Sequence, residues 1–295
     1  MTRQLRITHH TGYSYEGMVS ASHNEVRMTP RSSREQFVVS SRIDIVPKPW
    51  LLGYQDYWRT WVTAFEIREP HQRLDVTATS VVDVSRGLAD VPGLTWDQLR
   101  DPRLADKHFE MLQVSDHVDP GRVLRTFAAE TAREAERPAQ AVAAVIGRIR
   151  EHVSYVPGST HVRTRAADAW EAGAGVCQDM VHLALGALRG MGVPARYVSG
   201  YVMPCANPVV GQPRTGSPTP GSSTGTAHGW DWIPPTTRHP GNCTSRWAWA
   251  ATTATSRRCG ACSPGRGVGA VRRGGDDRPG LSRRSPVGRT GTRFR

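Results

Sequence analysis

Cys177 opens the stretch of this chain with the most chemistry in it. It follows Gly173-Ala174-Gly175-Val176, a loop whose two glycines allow a tight, close-packed backbone. Beyond it, Met180, Leu183, Ala184, Ala187 and Leu188 recur at three- and four-residue spacing, which predicts a helix with one buried face. Gly190, Gly192 and Pro194 end that helix, and Arg196 to Val202 alternates like a strand with one covered face. A thiol at a helix start feels unpaired N–H groups and the positive end of the dipole, which favour thiolate. Its own N–H can help stabilise an oxyanion. A buried cysteine packing as a small hydrophobe accounts for the position equally well.

The surrounding residues separate the two readings. Gly175-Val176-Cys177-Gln178-Asp179, His182-Leu183-Ala184-Leu185 and Gly192-Val193-Pro194-Ala195-Arg196-Tyr197-Val198-Ser199-Gly200-Tyr201 follow one another. Together they resemble the core of the bacterial transglutaminase-like family. That resemblance implies a papain-like fold, a Cys-His-Asp triad with Cys177 as nucleophile, and acyl transfer through a thioester. Gln178 and Asp179 match the motif and are expected to support the helix start. The implied partner is a protein or peptide amide, with no cofactor and no metal. Protease and transglutaminase remain equally open.

The elements that must position the cysteine follow from periodicity. Residues 1–85 read as a β domain: Phe37, Val39, Ile43 and Ile45 alternate, as do Val76, Ala78, Val82 and Val84. Ser22-His23-Asn24-Glu25 and Glu69-Pro70-His71 resemble the N-terminal domain that often precedes the family's core. That family usually has Gly-Asn after its Asp-aromatic turn, whereas Arg59-Thr60 stands here. His23 and His71 are two scattered histidines, a pattern commoner on surfaces or in cores than at metals. Residues 86–118 read as a polar linker. In 119–216, the core, a helix starts at Pro120 with Val123, Leu124, Phe127 and Ala128 on its apolar face. A second follows Pro138, and Ala166 to Trp170 forms a short one. Tyr155 to Thr160 reads as a turn, and Ser159 lacks the Gly-x-Ser-x-Gly of a hydrolase elbow.

The triad is incomplete. A cysteine nucleophile needs a base, and the base an orienting acid. The family carries them in Gly-Glu-Ser-His-Ala-Trp-Val-Glu and Asp-Pro-Thr-Asn, and neither occurs after Tyr201. Residues 217–295 instead mix Pro, Gly, Ser, Thr and Arg without Lys, Glu, Gln, Met or Tyr, a composition expected to stay disordered. Permitted codons for Gly216 to Ser223, read one base out of frame, spell Glu-Ser-His-Ala-Trp-Val-Glu. The same shift turns His228 to Thr236 into Trp-Val-Gly-Leu-Asp-Pro-Thr-Asn. It turns Asn242 to Thr253 into a further family-like stretch. Three matches in one frame and in family order point to a frameshift, one base short near Gly216.

Composition bounds the alternatives. The net charge of +12 suggests nucleic acid, but residues 217–295 hold 13 Arg, no Lys and 3 acidic residues, a net of +10. The other residues carry only +2, so no specific nucleic-acid partner is expected. One Cys259-x-x-Cys262 pair with His228 and His239 is short of a zinc site. Five cysteines make no disulfide framework, and no apolar run suggests a signal peptide or membrane span, so a cytoplasmic protein is expected. The fold expected is α+β: a β domain, an incomplete papain-like core and a disordered tail. A non-catalytic interaction module and an arginine-tail nucleic-acid binder are the alternative functions.

Overall fold

The structure, a computed structural model, describes residues 3–33, 36–85, 93–161, 163–202, 214–216, 218–226, 229–233, 249–252 and 288–294. Its first half is built from β1 (Arg3–Val19), β2 (Ser22–Val26), β3 (Gln36–Val46), β4 (Trp50–Gln55), β5 (Trp61–Ile67) and β6 (His71–Val84). β1 and β3 flank β6 antiparallel in one sheet, and β2 and β4 flank β5 in another. Along β6 the residues alternate inward, and Leu74, Val76 and Ala78 pack with Val26, Met28, Phe65 and Ile67 between the sheets. β3 departs from the expected alternation. A register shift between Val38 and Ser40 turns Phe37 and Val39 to solvent while Ile45 stays buried.

The two family-like histidine motifs meet here. His71 accepts or donates at 3.2 Å to Ser22 Oγ and pairs its Nδ1 with the Glu69 carbonyl at 2.7 Å, as a satisfied core histidine. Where Gly is usual after the aromatic turn, Arg59 takes a left-handed φ of 60°. Asp56 holds that turn, its Oδ1 accepting from the N–H groups of Trp58 and Thr60.

The second half contains α1 (Trp96–Leu99), α2 (Pro102–Lys107), α3 (Phe109–Leu112), α4 (Gly121–Glu134), α5 (Pro138–His152), β7 (Ser154–Tyr155), α6 (Ala166–Ala172), β8 (Ala174–Gly175), α7 (Cys177–Gly190) and β9 (Ala195–Val202). Residues 96–112, read from sequence within a polar linker, thus hold three short helices. Leu99 of α1 joins the helical core, as does Val118 beyond α3, and Leu104 of α2 packs partly buried against it, in pieces too short to show a period.

α7 departs from its expected single buried face. It is buried on every side from Asp179 to Arg189, with α4, α5, α6 and β9 packed around it. Gly186 permits the closest approach. A Cβ there would lie 1.8 Å from the Val118 carbonyl oxygen and 2.7 Å from Pro120 Cδ. At the far end, the buried Arg189 guanidinium donates to the Ala195 carbonyl at 3.0 and 2.8 Å and to the Gln113 carbonyl at 2.8 Å. Burial lowers it to about 10, so it stays charged.

From position 214 onward the described backbone forms β10 (Arg214–Gly216), β11 (Pro218–Thr226), β12 (Gly229–Ile233), β13 (Trp249–Thr252) and β14 (Gly288–Phe294). β11 and β13 flank β9, and β14 pairs with β1. The rest of the stretch expected to be disordered, with His228, His239, Cys259 and Cys262, lies outside the described residues. The two halves join where Tyr201 packs on Leu5, Ile7, Val82 and Val84 and its hydroxyl meets His9 Nδ1 at 2.7 Å. Among the described residues no helix is long and apolar enough to cross a membrane.

Gly186→Ala forces a methyl group against the Val118 backbone. It should destabilise the protein by about 3 kcal/mol or more. A urea unfolding midpoint equal to that of the parent would contradict the packing described.

Candidate active site

Cys177 is the first helical residue of α7, preceded by Val176 with extended backbone. Val176 has no side-chain acceptor, so the helix start is capped from within. Asp179, 1% exposed, turns its Oδ2 back to the Val176 N–H at 2.7 Å. The same oxygen accepts from Thr160 Oγ1 at 2.5 Å. Gly175 makes room for this carboxylate, since a Cβ there would meet Asp179 Cβ at 3.0 Å and Oδ2 at 3.1 Å.

A second tie holds the loop. β7 pairs in parallel with β8, setting Ser154 opposite Ala174 and Tyr155 opposite Gly175. Ser154 N–H donates to the Gly173 carbonyl and Val156 N–H to the Gly175 carbonyl, both at 2.9 Å. Gly173 closes α6 in a left-handed conformation, φ 59°. Partial burial first, then the Cys177 sulfur, raises the phenol of Tyr155, whose ring stays largely exposed. Sequence reasoning took Tyr155 to Thr160 as a turn and missed both Tyr155 and Thr160. Their partners lie about twenty residues away, and no local period records such a pairing.

The thiol itself corrects an expectation. Burial pushes Cys177 up from 9.0 to about 11, and the Asp179 charge adds to the rise. The N–H groups of Gln178 and Cys177 pull the other way without prevailing. The helix start therefore does not make this cysteine a thiolate at neutral pH. Gln178 is partly exposed and contributes that N–H, and Asp179 supports the helix start.

His182 is not placed to serve Cys177 as a base. Five residues on, it points roughly 140° around the helix from Cys177. Its buried ring packs 4.6 Å from that of His117 and 5.7 Å from that of Tyr197. Burial first, then His117 and Arg189, lower it to about 3, so it is neutral. Among the described residues no hydrogen bond joins Cys177 to an imidazole, and no group of three or more His, Cys, Asp or Glu is set to hold a metal.

The buried helix that opens at Cys177 and the antiparallel sheet built on β9 make this half an α+β fold. Comparison narrows the class. Residues 5–83 match the bacterial transglutaminase-like N-terminal region, and residues 125–234 match the transglutaminase-like superfamily. The chain is 40% identical to the uncharacterized protein ML0607 of Mycobacterium leprae over 209 residues, covering 71% of this chain and 75% of that one. It is 30% identical to the uncharacterized protein Rv2569c of Mycobacterium tuberculosis over 68% of this chain and 66% of that one. A solved structure of a candidate cysteine protease from Cytophaga hutchinsonii shares the fold with a TM-score of 0.62 at 19% identity, over 86% of this chain and 83% of that one. The chain belongs to the bacterial transglutaminase-like family.

Two outcomes follow from the site's interactions. Asp179→Ala leaves the Val176 N–H and the Thr160 hydroxyl unpaired. It should cost about 2–4 kcal/mol of stability, whereas Asp179→Asn, which keeps an acceptor oxygen, should cost less. Equal melting of the two variants would argue against the cap. His182 is held neutral from 6.5 down to about 3 in the folded chain, while the unfolded chain takes up its proton near 6.5. Stability is accordingly lost as pH falls from about 6.5 toward 3, by on the order of 3 kcal/mol or more. Urea midpoints measured from pH 7 to pH 4 should fall less steeply for His182→Asn than for the parent.

Proposed function

We propose that this chain carries the scaffold of a thiol acyltransferase in which Cys177 is the nucleophile and the proton acceptor is missing. Cys177 Sγ would attack an amide carbonyl, the C–N bond would break with a proton passing to the leaving amine, and a thioester would remain. An amine would resolve it in transamidation, water in hydrolysis. The observation that carries the reading is the position of Cys177 at the start of α7, with a thiol held near 11 by burial. Such a thiol is ionised only about once in ten thousand molecules at pH 7. Without a base to take its proton, the chain as translated is inactive.

The absence traces to the reading frame. β11 runs antiparallel to β9 with Thr219 opposite Gly200, so a strand lies at the position where the shifted frame would put a histidine. The setting in this reading is the cytoplasm and the substrate a protein or peptide amide. A second reading, a non-catalytic protein-interaction module, draws on the uncovered strand β4.

The test compares the chain as translated with a version whose gene carries one extra base ahead of codon 217. Both are assayed for amine incorporation into a glutamine-bearing protein and for peptide hydrolysis, and Cys177 is alkylated with iodoacetamide across pH and mapped by mass. The expected result is no turnover from the chain as translated, and an alkylation rate still climbing above pH 9. The restored chain should turn over and lose its activity on Cys177→Ala. Cys177-dependent turnover by the unrestored chain would refute the missing base. A restored chain inert in both assays would refute the frame reading.

A further inference from the structure

Residues 113–120 cross α7 as a strap, fastened along one stripe of the helix. The helix residues it meets are His182, Gly186 and Arg189, spaced four and three apart and so on one face. Arg189 Nη1 donates to the Gln113 carbonyl at 2.8 Å. The His117 and His182 rings meet with centroids 4.6 Å apart, and the Val118 carbonyl lies over Gly186. Away from α7, the His117 carbonyl accepts from the Ala166 N–H at 3.1 Å. Ala166 is the first residue of α6, whose far end closes at Gly173, where the cysteine loop begins.

The middle fastening puts two imidazoles together with no acid between them. His182 Nδ1 is buried and, among the described residues, has no hydrogen-bond partner. The groups that face its ring are His117 from the strap, Arg189 from α7 itself and the Tyr197 phenol from β9. Asp179, on the same helix, turns its carboxylate back to the Val176 N–H and Thr160. On the strap, Asp119 accepts from the Gly121 N–H and pairs with Arg125, while Asp116 is exposed, as is Glu110 on α3. Arg196 of β9 alternates to the other side of the strand from Tyr197. The fully buried residues of α4, α5 and α6 are apolar, and β8 and β11 hold no titratable residue. A proton on His182 would sit beside an imidazole and a guanidinium without a counter-charge. Little else holds the strap: residues 113–116 are exposed, and only Val118 and Pro120 of its eight residues are buried. Segments with so few buried apolar contacts open locally before the whole chain unfolds.

We propose that residues 113–120 are an acid-released strap, set free from α7 when a proton enters the His117–His182 contact while the helices beneath stay folded. Closed, the strap helps to hold His182 neutral down to about 3; open, water reaches the ring and its proton affinity returns toward 6.5. The open form binds the extra proton, so falling pH favours it. Between those limits each unit of pH should raise the open population by up to about tenfold. Release also removes the acceptor of the Ala166 N–H, which ties the strap to the helix leading into the cysteine loop.

The test is amide hydrogen exchange of the full chain, followed by mass at pH 7, 6 and 5 and corrected for the intrinsic effect of pH. Protection of peptides spanning 113–120 and the start of α6 should fall by about tenfold from pH 6 to pH 5, while peptides of α5 keep theirs. His182→Phe, which keeps a ring in place and gives up no hydrogen bond at Nδ1, should flatten that dependence. His182→Asn should flatten it likewise and replaces the Phe variant if that one fails to fold. Strap protection that stays constant from pH 7 to pH 5 overturns the proposal. So does protection lost from the strap and α5 together, or a His182→Phe strap that opens with acid as the parent's does.

Discussion

The carboxylate of Asp179 is the constraint on which the cysteine end of this fold depends. Buried at the first turn of α7, it takes the Val176 N–H that a valine cannot cap and the hydroxyl of Thr160 from a distant loop. A buried carboxylate without such donors would cost several kcal/mol, so its two partners are conditions for the helix to begin at Cys177 at all. The chain accommodates it by having no side chain at Gly175 and by pairing β7 with β8. Loop, helix start and sulfur are fixed as one unit.

The same burial that fixes the sulfur also holds it protonated. The N–H groups at the start of α7 favour a thiolate, yet desolvation and the neighbouring Asp179 charge outweigh them. Among the described residues no imidazole is hydrogen-bonded to that sulfur, and the strands that flank β9 are β11 and β13.

Elsewhere two buried polar groups find partners close by. Arg189 keeps its charge in the core by donating to carbonyls rather than by facing an acid. His9 is pushed down to about 4 by burial, then by His10, and so is neutral where it meets the Tyr201 hydroxyl. Packing of Tyr201 on Leu5, Ile7, Val82 and Val84 makes the join between the halves an extension of both cores. The exposed β4 stands out against this economy.

By itself the sequence determined the local elements: α5, α6 and α7, the place of Cys177 at a helix start, and β9 after Pro194. Those follow from apolar spacing, capping and breakers, which act over a few residues. It also located the break in the pattern after Tyr201, since the absence of a histidine motif is a property of the residue string. Tertiary structure decided the rest. That α7 is enclosed on every side, that Thr160 reaches Asp179, and that Phe37 and Val39 face water across a register shift depend on segments far apart in the chain. The state of the Cys177 thiol belongs to the same group: a helix start can be read locally, but desolvation is set by what distant residues pack around the sulfur.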